Sequence, residues 1–143
     1  MDALITITNI QTVDGEDEKI FVSVVGTFEG NENDFSLSYP ELEGELKGCT
    51  TSIRCVDKSR ITIARSGNYE SEMTLEAGKR HTCVYSTPHG DFTMGLFASE
   101  ISSCVKESGG TLNFNYSIDF NIGLASLNSM EIIIEPQNGG ENV

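Results

Sequence analysis

HTCVYSTPHGDFTMGLF, residues 81–97, contains two runs of alternating apolar and polar residues on either side of the tetrapeptide Thr87–Gly90. Pro88 fixes φ at about −65° in the second position of a type I turn, and Gly90 tolerates a positive φ in the fourth. The stretch therefore predicts a β-hairpin. Two sets of residues then each share one face of a strand, namely His81, Cys83 and Tyr85 on the first and Phe92, Met94 and Leu96 on the second.

The same alternation recurs along the rest of the chain at short and regular intervals. A bulge near Asn9 would turn Ile5, Ile7 and Ile10 of the first strand toward one face. Residues 41–48 are the least β-like internal segment and are predicted to form a loop or one helical turn. Further strands are predicted at 4–13, 19–28, 35–39, 49–56, 61–65, 70–75, 100–105, 111–120 and 129–135.

Many short strands joined by tight turns, with no convincing long helix, predict an all-β fold. We expect residues 1–136 to form a single antiparallel up-and-down β-barrel of eight to ten strands, because closing the sheet removes its two free edges. A β-sandwich is the alternative. Residues 137–143, QNGGENV, have nothing to bury and are predicted to be a disordered tail.

The charge of the chain excludes several partners. The formal net charge is −13, and only nine lysines and arginines are scattered along 143 residues. Nucleic acids and anionic membrane surfaces are bound by clustered basic residues, so neither is an expected partner. No apolar stretch approaches the roughly 20 residues of a membrane helix, and no leader is visible at the start. A cytoplasmic protein is expected.

The cysteines and histidines do not predict a metal site or a disulfide. Cys49, Cys55, Cys83 and Cys104 form no C-x-x-C pair and no zinc-like spacing with the two histidines. We expect the four thiols to be reduced and buried, as in a cytosolic protein. No cofactor is predicted. The glycine-rich signal of a dinucleotide-binding site is absent, and Gly48 is followed by Cys49 rather than by the lysine that a phosphate loop requires.

The hairpin carries a family resemblance. Tyr85, Thr87, Pro88 and Gly90, followed by Met94 and Gly95, resemble the motif of the YwiB-like family of small bacterial β-barrel proteins. Matching positions elsewhere include Gly48-x-Thr50-Thr51-x-Ile53, Ile61-Thr62-Ile63-x-Arg65-x-Gly67 and Gly109-Gly110-x-Leu112. The resemblance spans nearly the whole chain. It implies a lipocalin- or calycin-like barrel and no particular activity.

Arg65 is the residue with the clearest functional implication. It shares the parity of Ile61 and Ile63, so it is predicted to point into the barrel near one mouth. With Tyr85, His81 or Tyr116 it could hold the carboxylate of a small, partly apolar ligand. Alternatively, Arg65 pairs with one of the many acidic side chains or reaches water at the strand end.

Two other classes of function remain open. One is a protein-interaction or self-associating barrel with a filled core, monomeric or homodimeric, that docks through the doubly apolar second strand around Phe21 and Val25. The other is an enzyme, for which no catalytic residues are predicted. Ser86, His89 and Asp91 surround one tight turn, which is a poor arrangement for a triad.

Overall fold

Ten antiparallel β-strands, connected in chain order, form a nearly closed barrel in the computed structural model, which describes residues 1–120 and 124–137. No helix occurs among these residues. The strands are β1 (Asp2–Val13), β2 (Glu16–Asn31), β3 (Asp34–Pro40), β4 (Thr50–Val56), β5 (Arg60–Ser66), β6 (Ser71–Glu76), β7 (Arg80–Thr87), β8 (Gly90–Lys106), β9 (Gly109–Asp119) and β10 (Leu124–Pro136).

All ten strands belong to one sheet, which closes where its two end strands meet. The strand order is β6-β5-β4-β3-β2-β1-β10-β9-β8-β7, so the first and last strands pair in the middle of the sheet. The end strands β6 and β7 meet beside Glu70 and Ser86, which exchange two backbone hydrogen bonds of 2.9 and 2.8 Å. We call this junction the seam. The predicted all-β, antiparallel up-and-down barrel is confirmed with ten strands, and the sandwich alternative is wrong.

The hairpin of residues 81–97 is formed by β7 and β8. Thr87 pairs with Gly90, so Pro88 and His89 form a two-residue connection, and Gly90 has a φ of +121°. The Thr87 hydroxyl accepts a hydrogen bond from the His89 backbone N–H and donates one to the Gly90 carbonyl, both at 3.0 Å. The turn thus satisfies its own polar groups and fixes the register of the two strands.

The second strand of the hairpin and residues 100–105 were predicted as separate strands, but both belong to the single strand β8. A register shift against β9 lies between Ala98 and Glu100. This β-bulge changes which alternate residues face the interior. Even-numbered residues are buried before it, namely Met94, Leu96 and Ala98, and the odd-numbered Val105 is buried after it. A reversal of parity resembles a strand break in the sequence, which explains the error.

The bulge predicted near Asn9 does not exist. Strand β1 pairs with β2 and with β10 without any register shift. Ile5 and Ile7 are buried, whereas Ile10 lies on the outer face and is 41% exposed. Regular alternation therefore places Asn9 on the interior face, where the sequence had suggested an isoleucine.

Apolar side chains fill the barrel around the short strands β3 to β6. The rings of Phe28 and Phe35 contact each other with their centroids 6.0 Å apart. Burial of each large apolar side chain contributes roughly 1.5–3 kcal/mol. The largest side chains with almost no exposure are Phe28, Phe35, Phe114, Ile5, Leu37, Ile53, Ile61, Ile63, Leu75, Leu96, Leu112 and Ile132.

All four cysteines are free, but they are not all buried. Cys49 and Cys55 lie in the core, and burial raises the pKa of the Cys55 thiol to about 11. Cys83 is half-buried. Cys104 is exposed, contrary to the prediction, because after the bulge in β8 the even-numbered residues lie on the outer face.

The start of β1 and the end of β10 lie side by side. Ala3 pairs with Pro136, and the Gln137 backbone N–H donates to the Asp2 carbonyl at 2.7 Å. The rest of the predicted tail, residues 138–143, lies outside the described residues.

Replacing Ile61 by Ala tests the core. Ile61 has no exposed surface and pairs with Cys55 and Leu75 on the neighbouring strands. The cavity left behind should lower the free energy of unfolding by about 2–5 kcal/mol. Urea unfolding followed by circular dichroism measures the change, with Arg60→Ala at an exposed position of the same strand as control. Equal losses in both variants would contradict the assigned core.

Candidate functional site

A row of polar side chains crosses four strands at one end of the barrel. Tyr39 pairs with Thr51, Thr51 pairs with Arg65, and Arg65 pairs with Ser71. Directly opposed residues of neighbouring strands share a face, and Thr51, Tyr39 and Ser71 are buried, so the row faces the interior. We call Tyr39, Thr51, Arg65 and Ser71 the polar row. The predicted inward orientation of Arg65 agrees with this geometry.

The loop between β3 and β4 holds one end of the polar row. Residues 41–49 contain turns and bends rather than a helical turn, with Gly44 and Gly48 at positive φ. The Glu41 backbone N–H donates to the Cys49 carbonyl at 2.9 Å, which fixes the start of the loop against its end. Thr51 Oγ1 then donates to Glu41 Oε2 at 2.6 Å. The carboxylate of Glu41 is thereby bound to the threonine.

Arg65 has no acidic partner among the described residues, although the chain contains 22 carboxylate side chains. Its Nε is buried and donates no hydrogen bond to the described part of the protein. By contrast, Arg54 on the outer face binds Asp34 through two bonds of 3.0 and 2.7 Å. The ion-pair alternative for Arg65 is therefore wrong for the described side chains.

Ser71, like Arg65, has a buried polar atom without a hydrogen-bond partner in the described chain. Its Oγ is buried and has no hydrogen-bond partner within residues 1–120 and 124–137. Leaving one buried polar group unpaired costs about 1–3 kcal/mol. Two such groups, Arg65 Nε and Ser71 Oγ, belong to residues directly opposite each other on β5 and β6.

The positive charge of Arg65 influences three tyrosines. Burial raises the pKa of Tyr116, and the same cause raises the pKa of Tyr39 and Tyr85. In all three cases the nearby positive charge of Arg65 opposes the rise. The phenols therefore stay protonated at neutral pH and lie within electrostatic reach of the guanidinium, where each can donate a hydrogen bond.

Aromatic rings extend this arrangement. Tyr85 stacks on Tyr69 with centroids 5.8 Å apart, and Tyr116 stacks on Phe114 at the same distance. Packing against a second ring restricts each phenol to a narrow range of positions. Of the predicted set, Tyr85 and Tyr116 each lie within electrostatic reach of Arg65.

His81 lies apart from the other predicted residues. Its Nε2 is 3.0 Å from Glu76 Oε1, and both side chains are about one quarter exposed. His81 and Tyr85 are four residues apart on one strand, which separates their Cα atoms by about 13 Å. The histidine and the glutamate join the start of β7 to the end of β6, at the opposite end of these strands from the seam.

The family-motif residues have structural roles in this fold. Thr87, Pro88 and Gly90 build the hairpin turn, and Met94 is buried in the core. At Gly95, any Cβ would collide with the guanidinium of Arg80, which binds Asp119 across the sheet at 2.7 Å. The glycine therefore makes room for a surface ion pair.

A second group of polar side chains was not predicted from the sequence. Asn128 is only 5% exposed, and its Nδ2 donates to Ser126 Oγ at 3.0 Å. Asn9 Oδ1 is also buried and has no partner in the described part of the chain. Asn9 lies opposite Met130 of β10 and so shares the interior face with Ser126 and Asn128 of that strand. The sequence signal was present, because all three share parity with apolar core residues.

Other kinds of site are not seen where the structure is described. Residues 1–120 and 124–137 contain no group of three or more His, Cys, Asp or Glu side chains that could hold a metal ion. The same residues contain no helix of the length and hydropathy needed to cross a membrane.

Comparison with known proteins identifies the family. The sequence matches the family model described as "Domain of unknown function (DUF1934)" over residues 5–132. The chain belongs to this family. The fold is similar to that in the crystal structure of the YwiB protein from Bacillus subtilis, with a TM-score of 0.82 and 21% sequence identity over 94% of this chain and 90% of that one. At this identity the likeness shows the fold alone. No curated protein matches the sequence.

Replacing both Tyr39 and Tyr116 by Phe tests the protonated phenols. In the folded state burial raises both pKa values above that of an unfolded tyrosine, about 10. The stabilisation is therefore fully present below pH 10 and is lost as the pH rises through the raised pKa values. Urea unfolding between pH 9 and 11 should show a smaller loss of stability in the double variant than in the parent. Identical losses would contradict the assignment.

Proposed function

We propose that this protein binds a small, partly apolar acid at the polar end of the barrel, with Arg65 holding the carboxylate. The observation that supports the proposal is the buried Nε of Arg65, which has no acceptor among the described residues. An arginine in this position is preorganised for a planar anion, because its guanidinium presents several N–H groups in a fixed geometry.

Neighbouring groups complement such a ligand. The hydroxyl of Ser71 faces the interior opposite Arg65 and also lacks a partner in the described chain. The protonated phenol of Tyr85 adds a further donor near the same charge. A carboxylate has two oxygens and about four acceptor sites, so it can accept from all three side chains. The stacked rings of Tyr69 and Tyr85 offer an apolar surface for the rest of the ligand.

We propose binding rather than catalysis. A hydrolytic or acid–base mechanism requires a nucleophile and a base within hydrogen-bond reach of each other. His81 is bonded to Glu76, and His89 lies in the exposed turn between β7 and β8, so neither histidine adjoins Arg65. We also propose a cytoplasmic location, because four free thiols are typical of a reducing compartment.

Arg65→Gln tests the proposed function. Native mass spectrometry of the purified protein should reveal the added mass of an acid on the parent chain. Removing the charged donor should weaken its retention by about 10- to 100-fold, since hydrogen bonds to charged groups contribute about 1.5–3 kcal/mol. Arg54→Gln is the matched control, because it removes the same charge from the outer face. The proposal fails when no added mass is found, or when both variants retain it equally.

A second candidate function is self-association or protein docking through β2. Phe21 and Val25 on its outer face are 64% and 57% exposed. Residues 16–26 of this strand pair with β1 only, because the pairing with β3 begins at Thr27. Unpaired backbone and exposed apolar side chains are typical of an edge that accepts another strand.

Phe21→Ser tests this second candidate. If β2 forms a homodimer interface, light scattering coupled to size-exclusion chromatography should give the mass of a dimer for the parent and of a monomer for the variant. Val84→Ser is the control, since Val84 is similarly exposed on β7. A monomeric parent protein at all concentrations would leave no support for self-association.

A further inference from the structure

The first half of strand β2 has a free backbone edge. Residues 16–26 pair with β1 on one side, and the pairing with β3 begins only at Thr27. In the part of the chain that the structure describes, no backbone hydrogen bond joins residues 16–25 to any element other than β1. A free edge of this length can accept an added strand.

The register shows which backbone groups lie on this edge. The Phe28 N–H donates to the Met1 carbonyl at 2.8 Å, and the residues of an antiparallel ladder alternate in the direction of their backbone groups. The even-numbered residues of β2 therefore direct their N–H and C=O groups to β1. The odd-numbered residues from Asp17 to Val25 direct theirs to the free edge.

The free edge borders a cleft with apolar side chains. A space of about 260 Å³ lies between residues 21–23 of β2 and residues 41–43 of the loop between β3 and β4. Phe21 and Leu42 in its walls are exposed, and the exposed Val25 extends the apolar surface along β2. A strand added to β2 would place its own apolar side chains against this surface.

Five carboxylate side chains lie around the apolar part of the edge, three at the start of β2 and two in the cleft. They are Glu16, Asp17, Glu18, Glu41 and Glu43. Among the described residues, none of the five has a basic side chain within ion-pair distance. Lys19 is the only basic residue in residues 16–26 and 41–43. The edge and the cleft therefore carry a negative charge that the chain itself does not neutralise.

This charge distinguishes between two possible occupants. A second copy that paired through the same edge would bring a second set of these carboxylates to the interface, where like charges repel one another. A segment with lysines or arginines beside its apolar residues would instead meet charges of opposite sign. Charge complementarity thus favours a basic partner over self-association.

We propose that β2 binds an extended segment of another protein in which basic residues flank a short apolar stretch. The segment adds a strand to the sheet, with its backbone bonded to the odd-numbered residues of β2. Its apolar side chains pack against Phe21 and Val25, and its basic side chains lie beside the carboxylates. This inference rests on the second candidate function, docking through β2, and is independent of the acid site at Arg65.

Synthetic peptides test the charge of the partner. Fluorescence anisotropy measures the binding of labelled nonapeptides with two lysines at each end and the centre Val-Thr-Val-Thr-Val, Ile-Thr-Val-Thr-Ile or Phe-Thr-Val-Thr-Phe. At least one should bind about 10-fold more tightly than the same peptide with glutamates in place of the lysines, and about 0.5 M salt should reduce this ratio. Glu18→Gln combined with Glu43→Gln should also reduce the ratio. Glu72→Gln combined with Glu100→Gln is the control, because it removes the same charge from exposed positions of β6 and β8.

Two variants of one serine test strand addition. Ser23→Pro removes an N–H from the free edge and leaves the bonds to β1 intact, because Ser23 directs its backbone away from β1. It should weaken the binding of the lysine peptide by about fivefold or more, whereas Ser23→Ala, which keeps the N–H, should change the affinity by less than about twofold.

Methylation of the peptide backbone repeats this test without changing the protein. In an added strand, only every second N–H of the peptide can bond to β2. N-methylation of one set of alternate residues should therefore abolish binding, and N-methylation of the other set should leave it intact. This measurement decides the question if circular dichroism shows that Ser23→Pro is not folded.

The outcomes separate the partner from the edge. If Ser23→Pro weakens lysine and glutamate peptides that bind the parent equally, the basic partner is rejected and β2 remains a docking edge. Binding that neither Ser23→Pro nor either set of N-methyl groups affects rejects the edge itself. The proposal is also overturned if no lysine peptide binds, or if the parent forms a dimer that Phe21→Ser abolishes. Arg65→Gln should leave peptide binding unchanged, so failure of the acid site would be seen separately.

Discussion

A sheet with one apolar face must hide that face from water, and this constraint determines most of the structure. Each strand from β1 to β10 directs alternate side chains inward, and no helix among the described residues covers them. The sheet can bury its inner face only by curving onto itself. Pairing of β1 with β10 and the contact of β6 with β7 at Glu70 and Ser86 complete that curvature.

The same constraint makes interior polar groups informative. Tyr39, Thr51, Arg65 and Ser71 interrupt a mostly apolar face, and they do so side by side on neighbouring strands. Thr51 is bonded to Glu41, but Arg65 Nε and Ser71 Oγ have no partner in the described chain. Stability alone favours apolar side chains at such positions, and for that reason these residues carry the proposed function.

The alternation of apolar and polar residues along each strand predicts much of this structure. The neighbours of each residue across the sheet depend instead on the register between strands. The inward direction of Arg65 follows from its parity with Ile61 and Ile63 within one strand. Its neighbours across the sheet do not, because Ser71 belongs to another strand whose alignment depends on the turn between them. The sequence pattern also failed at Ala98, where a bulge reverses parity, and at Asn9, where the expected bulge is absent.

The pairing of β1 with β10 makes the fold circular in its connectivity. Ala3 lies opposite Pro136, so the two ends of the barrel domain are already neighbours within one ladder. Meanwhile β6 and β7, which are consecutive in the chain, are joined by the short segment around Gly78. A circularly permuted chain, linked from the end of β10 to the start of β1 and opened at Gly78, would therefore keep every ladder of the sheet while moving its termini to the turn between β6 and β7.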